Sequence, residues 1–267
     1  MQGTITKMNT RLIESDSVEY QLNLGNEYIN VNKLINRRLR IEFNHQYECI
    51  ACNKSIKKLF GQGFCYPCFI NAPENSPCIV RPELCEAHLN KGRDVEWEIK
   101  NHLQEHVVYL AISGGLKVGV TRKTQIPSRW IDQGAEQAVP IATTPNRYLA
   151  GIIEVELKNY FSDKTPWQKM LKGPSDAFWN LEDERVKALS KISEQNAIYF
   201  TTQFSPTLIQ YPVIQYPQKI KSVKLDKESN LEGRILGIKG QYIMLDNDRV
   251  INIRSHSGYK VELTVLD

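Results

Sequence analysis

Cys49-Ile-Ala-Cys52 and, twelve residues further on, Cys65-Tyr-Pro-Cys68 decide how this 267-residue chain is read. Each Cys-x-x-Cys turn sets two thiolates close enough to share one ion, and two such turns complete a tetrahedron. Four sulfur donors favour zinc, with iron the other thiolate-bound candidate. All six cysteines lie between residues 49 and 85, and the N-terminal Met1-Gln-Gly-Thr-Ile-Thr-Lys7 has neither an apolar core nor a cleavage pattern of a signal peptide. The paired spacing therefore points to metal-bound thiolates in a reducing, cytoplasmic setting and not to disulfides. A closed four-thiolate site has no open position, so it is expected to hold the fold and to do no chemistry. The stretch from Cys49 to Arg93 carries Gly61, Gly63, Pro67, Pro73, Pro77 and Pro82 and few large apolar residues. Metal has to supply there what burial does not.

A second cluster of donors follows. Cys78 and Cys85 sit seven apart, His88 comes next, and His102 and His106 lie further on. Cys78, Cys85, His88 and one of His102 or His106 would make a two-thiolate, two-imidazole zinc site with irregular spacing. The alternative is that the two cysteines are small buried residues and the histidines are solvated or hydrogen-bonded. One or two structural zinc ions per chain are thus expected.

Outward from the cysteines the chain reads as mixed. Val18–Leu24 and Glu27–Val31 are strand candidates around a Gly25-Asn26 turn, and Leu39–Phe43 alternates. Val107–Ile112 and Leu116–Val120, separated by Ser113-Gly114-Gly115, form a predicted hairpin. Helices are predicted over 129–138, over 148–160, where Leu149, Ile152, Ile153 and Leu157 recur at helical spacing, and over 176–194 after Pro174-Ser175, with Phe178, Leu181 and Leu189 on its apolar face. Tyr211-Pro212 and Tyr216-Pro217 mark an extended linker, and short glycine-punctuated strands return from Leu231 to Leu266. The expected architecture is α+β: an N-terminal β-element (1–48), a zinc-stapled module (49–100), a central small sheet with helices (101–173), a helix and linker (174–230) and a C-terminal small β-barrel or sheet element (231–267). Hydrophobic content of 41% with 24% charged residues is ordinary for a folded protein, and no apolar run approaches a membrane span. The net charge of +4 permits a polyanionic partner without requiring one. Locally the balance is stronger: Lys117, Arg122, Lys123 and Arg129 follow one another with no acid between.

Tyr109-Leu110-Ala111, the Gly-Gly turn and Lys117-Val118-Gly119-Val120-Thr121, followed by Arg129-Trp130 and Ala150-x3-Glu154-x2-Leu157-x3-Phe161, resemble the GIY-YIG nucleases over about residues 106–172. That resemblance implies a GIY-YIG-like centre in which Glu154 binds Mg²⁺ or Mn²⁺, Arg129 contacts phosphate, and Tyr109 orients or deprotonates a water. An arginine and a divalent ion suit phosphodiester cleavage, where negative charge builds on oxygen in the transition state. The sequence departs from the family pattern in having Val107-Val108 where a glycine and isoleucine stand and Lys117 where the second tyrosine often stands. Arg122, Lys123, Trp130 and Gln133 are the neighbouring candidate nucleic-acid contacts. Over nearly the whole chain, Cys65-Tyr-Pro-Cys68-Phe, Pro82-Glu-Leu-Cys85, Val108-Tyr-Leu-Ala, Lys117-Val-Gly-Val-Thr-Arg122, Arg129-Trp-Ile-Asp-Gln-Gly-Ala135, Asp163-Lys-Thr-Pro-Trp167 and Gly237-Ile-Lys-Gly-Gln-Tyr242 resemble a bacterial family catalogued as domain of unknown function 2797. The expected function is nucleic-acid processing by a zinc-binding member of that family. Its rivals are a non-catalytic RNA-, DNA- or ribosome-binding protein and an adaptor that presents a face to a protein partner.

Overall fold

The computed structural model describes residues 1–174, 179–202 and 205–266. The fold is mixed α+β, and the chain divides into two compact units, one built from residues 1–70 and 209–267, the other from 71–208.

In the first unit the strands are β1 (Gln2–Thr4), β2 (Asn9–Leu12), β3 (Val18–Leu24), β4 (Glu27–Asn30), β5 (Arg38–Glu48) and β6 (Ser55–Ile56). After the second unit come β11 (Lys221–Val223), β12 (Asn230–Lys239), β13 (Tyr242–Leu245), β14 (Arg249–Asn252) and β15 (Tyr259–Leu266). Segments 1–48 and 231–267 share one curled sheet in the order β1-β15-β5-β12-β13-β14-β11, with β6 added to β5. Strand β5 is its axis: Leu39, Ile41 and Phe43 alternate inward, while the antiparallel register sets Ile41 opposite Leu263 on one side and Leu231 on the other. Such alternation is what one buried face requires. The predicted hairpin at Gly25-Asn26 is the β3–β4 pair, which with β2 makes a separate three-stranded sheet.

The second unit has β7 (His106–Ile112), β8 (Leu116–Arg122), β9 (Gln137–Thr144) and β10 (Thr207–Leu208) in the order β10-β9-β7-β8. Every residue of β7 is buried, as befits a central strand. Besides α1 (Tyr66–Asn71), the helices among the described residues are α2 (Val95–His102), α3 (Ser128–Asp132), α4 (Arg147–Leu157), α5 (Trp167–Met170), α6 (Leu181–Leu189) and α7 (Glu194–Ala197). Helix α4 starts at Asn146, whose side chain accepts from the Leu149 amide, and packs Ala150, Ile153 and Leu157 with Val108, Leu110, Val139 and Ile141 of the sheet.

Two predicted helices differ from those observed. The helix predicted over 129–138 stops at Asp132. Gly134 turns the chain at φ +69°, and Val139, Ile141 and Thr143 then continue as β9 on the free edge of β7. A glycine of positive φ ends the helix, and the β-branched run suits a strand. The helix predicted over 176–194 is observed as α6, capped by Asn180. Ser175 and Phe178, assigned to its start, lie outside the described residues.

Candidate functional site

Strand β5 delivers Cys49 directly after its last residue. The Asn53 amide donates to the Cys49 carbonyl at 2.8 Å and the Cys49 amide to Lys54 at 2.9 Å, which closes the first cysteine turn, while the Ile50 amide reaches the Gly63 carbonyl at 2.9 Å. The second pair stands at the start of α1, where the Phe69 amide donates back to Cys65. The sulfurs of Cys49, Cys52, Cys65 and Cys68 all lie within 4.8 Å of one another, and Cys52 Sγ is 3.8 Å from Cys65 Sγ. The edge of a tetrahedron of sulfurs around zinc is about 3.8 Å. Burial pushes the Cys49 thiol up, but the amides of Cys65, Cys52 and Ala51 and the Cys52 thiol outweigh it and bring the group down to about 6. Cys68 is pushed up to about 12, first by its hydrogen bond with the Cys65 thiol. One thiolate is favoured and a further one resisted, which is the crowding of like charge that a dication relieves. These four cysteines suggest a structural zinc site.

The second donor set falls in the second unit. Sγ of Cys78, Sγ of Cys85, Nδ1 of His102 and a carboxylate oxygen of Glu98 lie within 4.8 Å of one another, and all four residues are buried. His88 is not among them: its ring stacks on Tyr148 at 4.6 Å. His106, 6.3 Å ring to ring from His102, has Nδ1 against the Gln104 carbonyl at 2.7 Å. Burial holds His106 down to about 3, so it is neutral. Glu98 was not singled out in the sequence. The available signal was its spacing from His102: four residues, one helical turn, on the same face of α2.

The third group of candidates gathers on β7, β8, α3 and α4. The Tyr109 hydroxyl is fully buried and donates to Gln133 Oε1 at 2.7 Å. The phenol can lie across β8 because residue 119 is glycine: a Cβ there would stand 2.6 Å from the Tyr109 oxygen. Burial keeps the phenol up at about 12, with the Glu154 charge adding to it and Arg129 opposing. Lys117, 3% exposed, donates to Thr165 Oγ1 at 3.0 Å. Burial, with the charge of Arg129, lowers its ammonium to about 8 against the pull of Glu154 and Asp163. Glu154, 7% exposed, is raised above the ordinary carboxylate range by burial, against the pull of Lys158. Its Oε2 faces Lys158 Nζ at 3.3 Å yet has no hydrogen-bond partner among the described residues. Tyr109 and Lys117 are thus both acted on by the charges of Arg129 and Glu154. The remaining candidates are peripheral or enclosed. Trp130 is buried beside Tyr109 at 5.9 Å, Arg122 contacts Asn101, and exposed Lys123 pairs with Glu105 at 2.9 Å.

Among the described residues no helix is long and apolar enough to cross a membrane. No curated protein and no solved structure matches the chain. A family model described as "Protein of unknown function (DUF2797)" matches residues 36–261, a span that includes both cysteine clusters and the Tyr109–Glu154 group, and the chain belongs to that family.

Proposed function

We propose that this protein acts on nucleic acid through the group formed by Tyr109, Lys117, Arg129 and Glu154, cleaving phosphodiester bonds with a divalent ion held at Glu154. The observation that carries the reading is that a buried phenol and a buried ammonium, Tyr109 and Lys117, both lie within reach of the charges of Arg129 and Glu154. Perturbed groups clustered in this way are what acid–base chemistry needs. The Glu154 oxygen without a hydrogen-bond partner fits a cation ligand, since buried carboxylate oxygens are otherwise satisfied. Mg²⁺ or Mn²⁺ there would supply Lewis-acid stabilisation of charge on the phosphate oxygens.

The residues divide the remaining work by their charge. The Arg129 guanidinium opposes the charge that grows on the non-bridging oxygens. Tyr109, protonated up to about 12, orients the attacking water by hydrogen bonding and does not take its proton. Lys117, lowered to about 8, is the group whose neutral form can accept that proton as the new P–O bond forms; the ester P–O bond breaks with its electron pair on the leaving oxygen, which takes a proton from solvent water. Cleavage should accordingly rise with pH through about 8.

Full burial of the Tyr109 phenol and the Lys158 ammonium already facing Glu154 favour a second reading, an anion-binding nucleic-acid site without turnover. Incubation with DNA and RNA panels in Mg²⁺ or Mn²⁺, beside Glu154→Ala and Arg129→Ala, separates the two. Cleavage by the wild type that both variants lose is the expected result. Binding that weakens steeply with salt, without cleavage, selects the second reading. Neither binding nor cleavage would defeat both and favour an adaptor for a protein partner.

A further inference from the structure

The buried donor set in the second unit is independent of the function proposed above. We propose that Cys78, Cys85, His102 and Glu98 bind a second structural zinc ion, and that this ion fixes the segment 76–102 against helix α4.

The spacing is that of ligands around one metal. Cys78 Sγ is 3.8 Å from His102 Nδ1 and 3.9 Å from Glu98 Oε2, and Cys85 Sγ is 3.5 Å from His102 Nδ1. For zinc bound to two sulfurs, a nitrogen and an oxygen at ordinary lengths, those edges run about 3.4–3.8 Å. The His102 Nδ1–Glu98 Oε2 pair is closer, at 2.5 Å. An ion bound by both atoms would open the pair by about 1 Å, to the edge expected between a nitrogen and an oxygen on zinc. Two thiolates, one imidazole and one carboxylate are all zinc donors, and the sulfurs argue against magnesium or calcium.

Burial supplies the second argument. Glu98 and His102 are each 2% exposed, Cys85 2% and Cys78 6%. A carboxylate and two titratable sulfurs seldom share a buried place without a cation among them. The surroundings serve the ligands rather than compete with them. Ser76 Oγ lies 3.1 Å from Cys78 Sγ. Arg147 Nε and Nη2 each donate at 2.9 Å, to the carbonyls of Cys78 and Ile79. Three anionic ligands and a dication leave one negative charge, and the Arg147 guanidinium beside them offsets it.

The same arginine explains the mechanical role. It starts α4, so the loop that carries Cys78 is tied to that helix by two hydrogen bonds. One turn on, Gly151 lets α4 pass against Pro82–Leu84, where a Cβ would stand 2.2 Å from the Glu83 amide nitrogen. The buried apolar side chains here are few and small: Cys78, Cys85 and Ala87, with Tyr148 against them. A metal is what remains to hold the short helical turns Pro77–Ile79, Pro82–Leu84 and Ala87–Leu89 in place.

The test begins with wild-type protein prepared under reducing conditions in zinc-containing medium. Elemental analysis should return about two zinc ions per chain, and X-ray absorption about three sulfurs and one nitrogen or oxygen per zinc. Cys85→Ser should lose one ion and leave a zinc with about four sulfurs, and Glu98→Gln should release that same ion to a chelator at least about 10-fold more readily. One zinc per chain with four sulfurs in the wild type would overturn the proposal, and that reading needs no variant to fold. So would two ions that Cys85→Ser leaves in place, or a Cys78–Cys85 disulfide found in the reduced wild-type protein.

Discussion

The two cysteine clusters reach similar ligand spacing by opposite routes. In the first, two Cys-x-x-Cys turns supply all four donors, Cys52 is exposed, and backbone amides of the turns themselves surround Cys49. In the second, the donors come from two short turns and a helix spread over 25 positions, from Cys78 to His102, and every one is buried. A local site is organised by its own turns. A dispersed site depends on whatever brings its segments together, here α2, α4 and Arg147. Losing the ion should therefore damage different things: the cysteine turns themselves in one case, the docking of a loop on a helix in the other.

The largest effect is expected at the local site. Cys65→Ser removes one of four thiolates from a stretch with little apolar core of its own. Structural zinc in small domains is worth roughly 10 kcal/mol or more of binding at neutral pH, and much of that becomes folding energy. The variant should lose this zinc, and residues 49–70 should become open to limited proteolysis, while the β7–β9 sheet in the other unit stays protected. Protease resistance of that segment equal to the wild type's would show that the β5 sheet alone holds it, and the contrast between the clusters would disappear.

The same contrast explains what the sequence disclosed. Cys49, Cys52, Cys65 and Cys68 were legible because their chemistry is written in consecutive spacing, and the β7–β8 hairpin because Ser113-Gly114-Gly115 separates two apolar runs. The ligand set of the second cluster was only half legible. Cys78 and Cys85 stood out by type, but the choice among histidines depended on tertiary placement, which sends His88 to Tyr148 and His102 to the sulfurs. Glu98 was hidden because a glutamate on a helix is usually a solvated face. The strand β9 was hidden too. Arg129-Trp130-Ile131-Asp132 reads as helix, and nothing before Gly134 announces that a strand will complete the sheet. Segments 1–48 and 231–267 were each read as strands, but their sharing one sheet through β5, β12 and β15 is a long-range pairing that no local pattern encodes.

An intermediate effect separates docking from ligation. Gly151→Ala touches no metal ligand, yet its Cβ would press on the backbone of Pro82 and Glu83. Overpacking of this kind costs about 1–3 kcal/mol, and backbone cannot yield as a side-chain tip would. The variant should bind the second zinc more weakly, as chelator competition would measure, with the first site unchanged. Equal weakening at both sites would mean that the fold as a whole had loosened. No weakening would mean that the loop is held by its ligands alone.

The smallest effect compares two carboxylates of the same unit. Glu98 and Glu154 are both buried, and burial is the leading cause that raises each above the ordinary carboxylate range. Glu98 has the imidazole and thiols beside it, whereas Glu154 Oε2 has only the Lys158 ammonium at 3.3 Å and no hydrogen bond among the described residues. For Glu154 the sign follows from proton linkage. The unfolded chain releases this proton in the ordinary range while the folded chain still holds it, so wild-type stability falls as pH rises from that range to the raised folded value. Glu154→Gln removes that proton linkage and the buried charge at the loss of the Lys158 ion pair, while Lys158 keeps Asp163 at 3.6 Å. The variant should be the more stable protein at pH 8 by on the order of 1 kcal/mol, or about 2–4 °C in Tm. That gain should narrow as pH falls toward the carboxylate range. Glu98→Gln should instead lower Tm at pH 8, because there the carboxylate serves the metal. A loss of stability in both variants would place Glu154 among groups that hold the fold and remove the strain expected of a ligand-binding carboxylate.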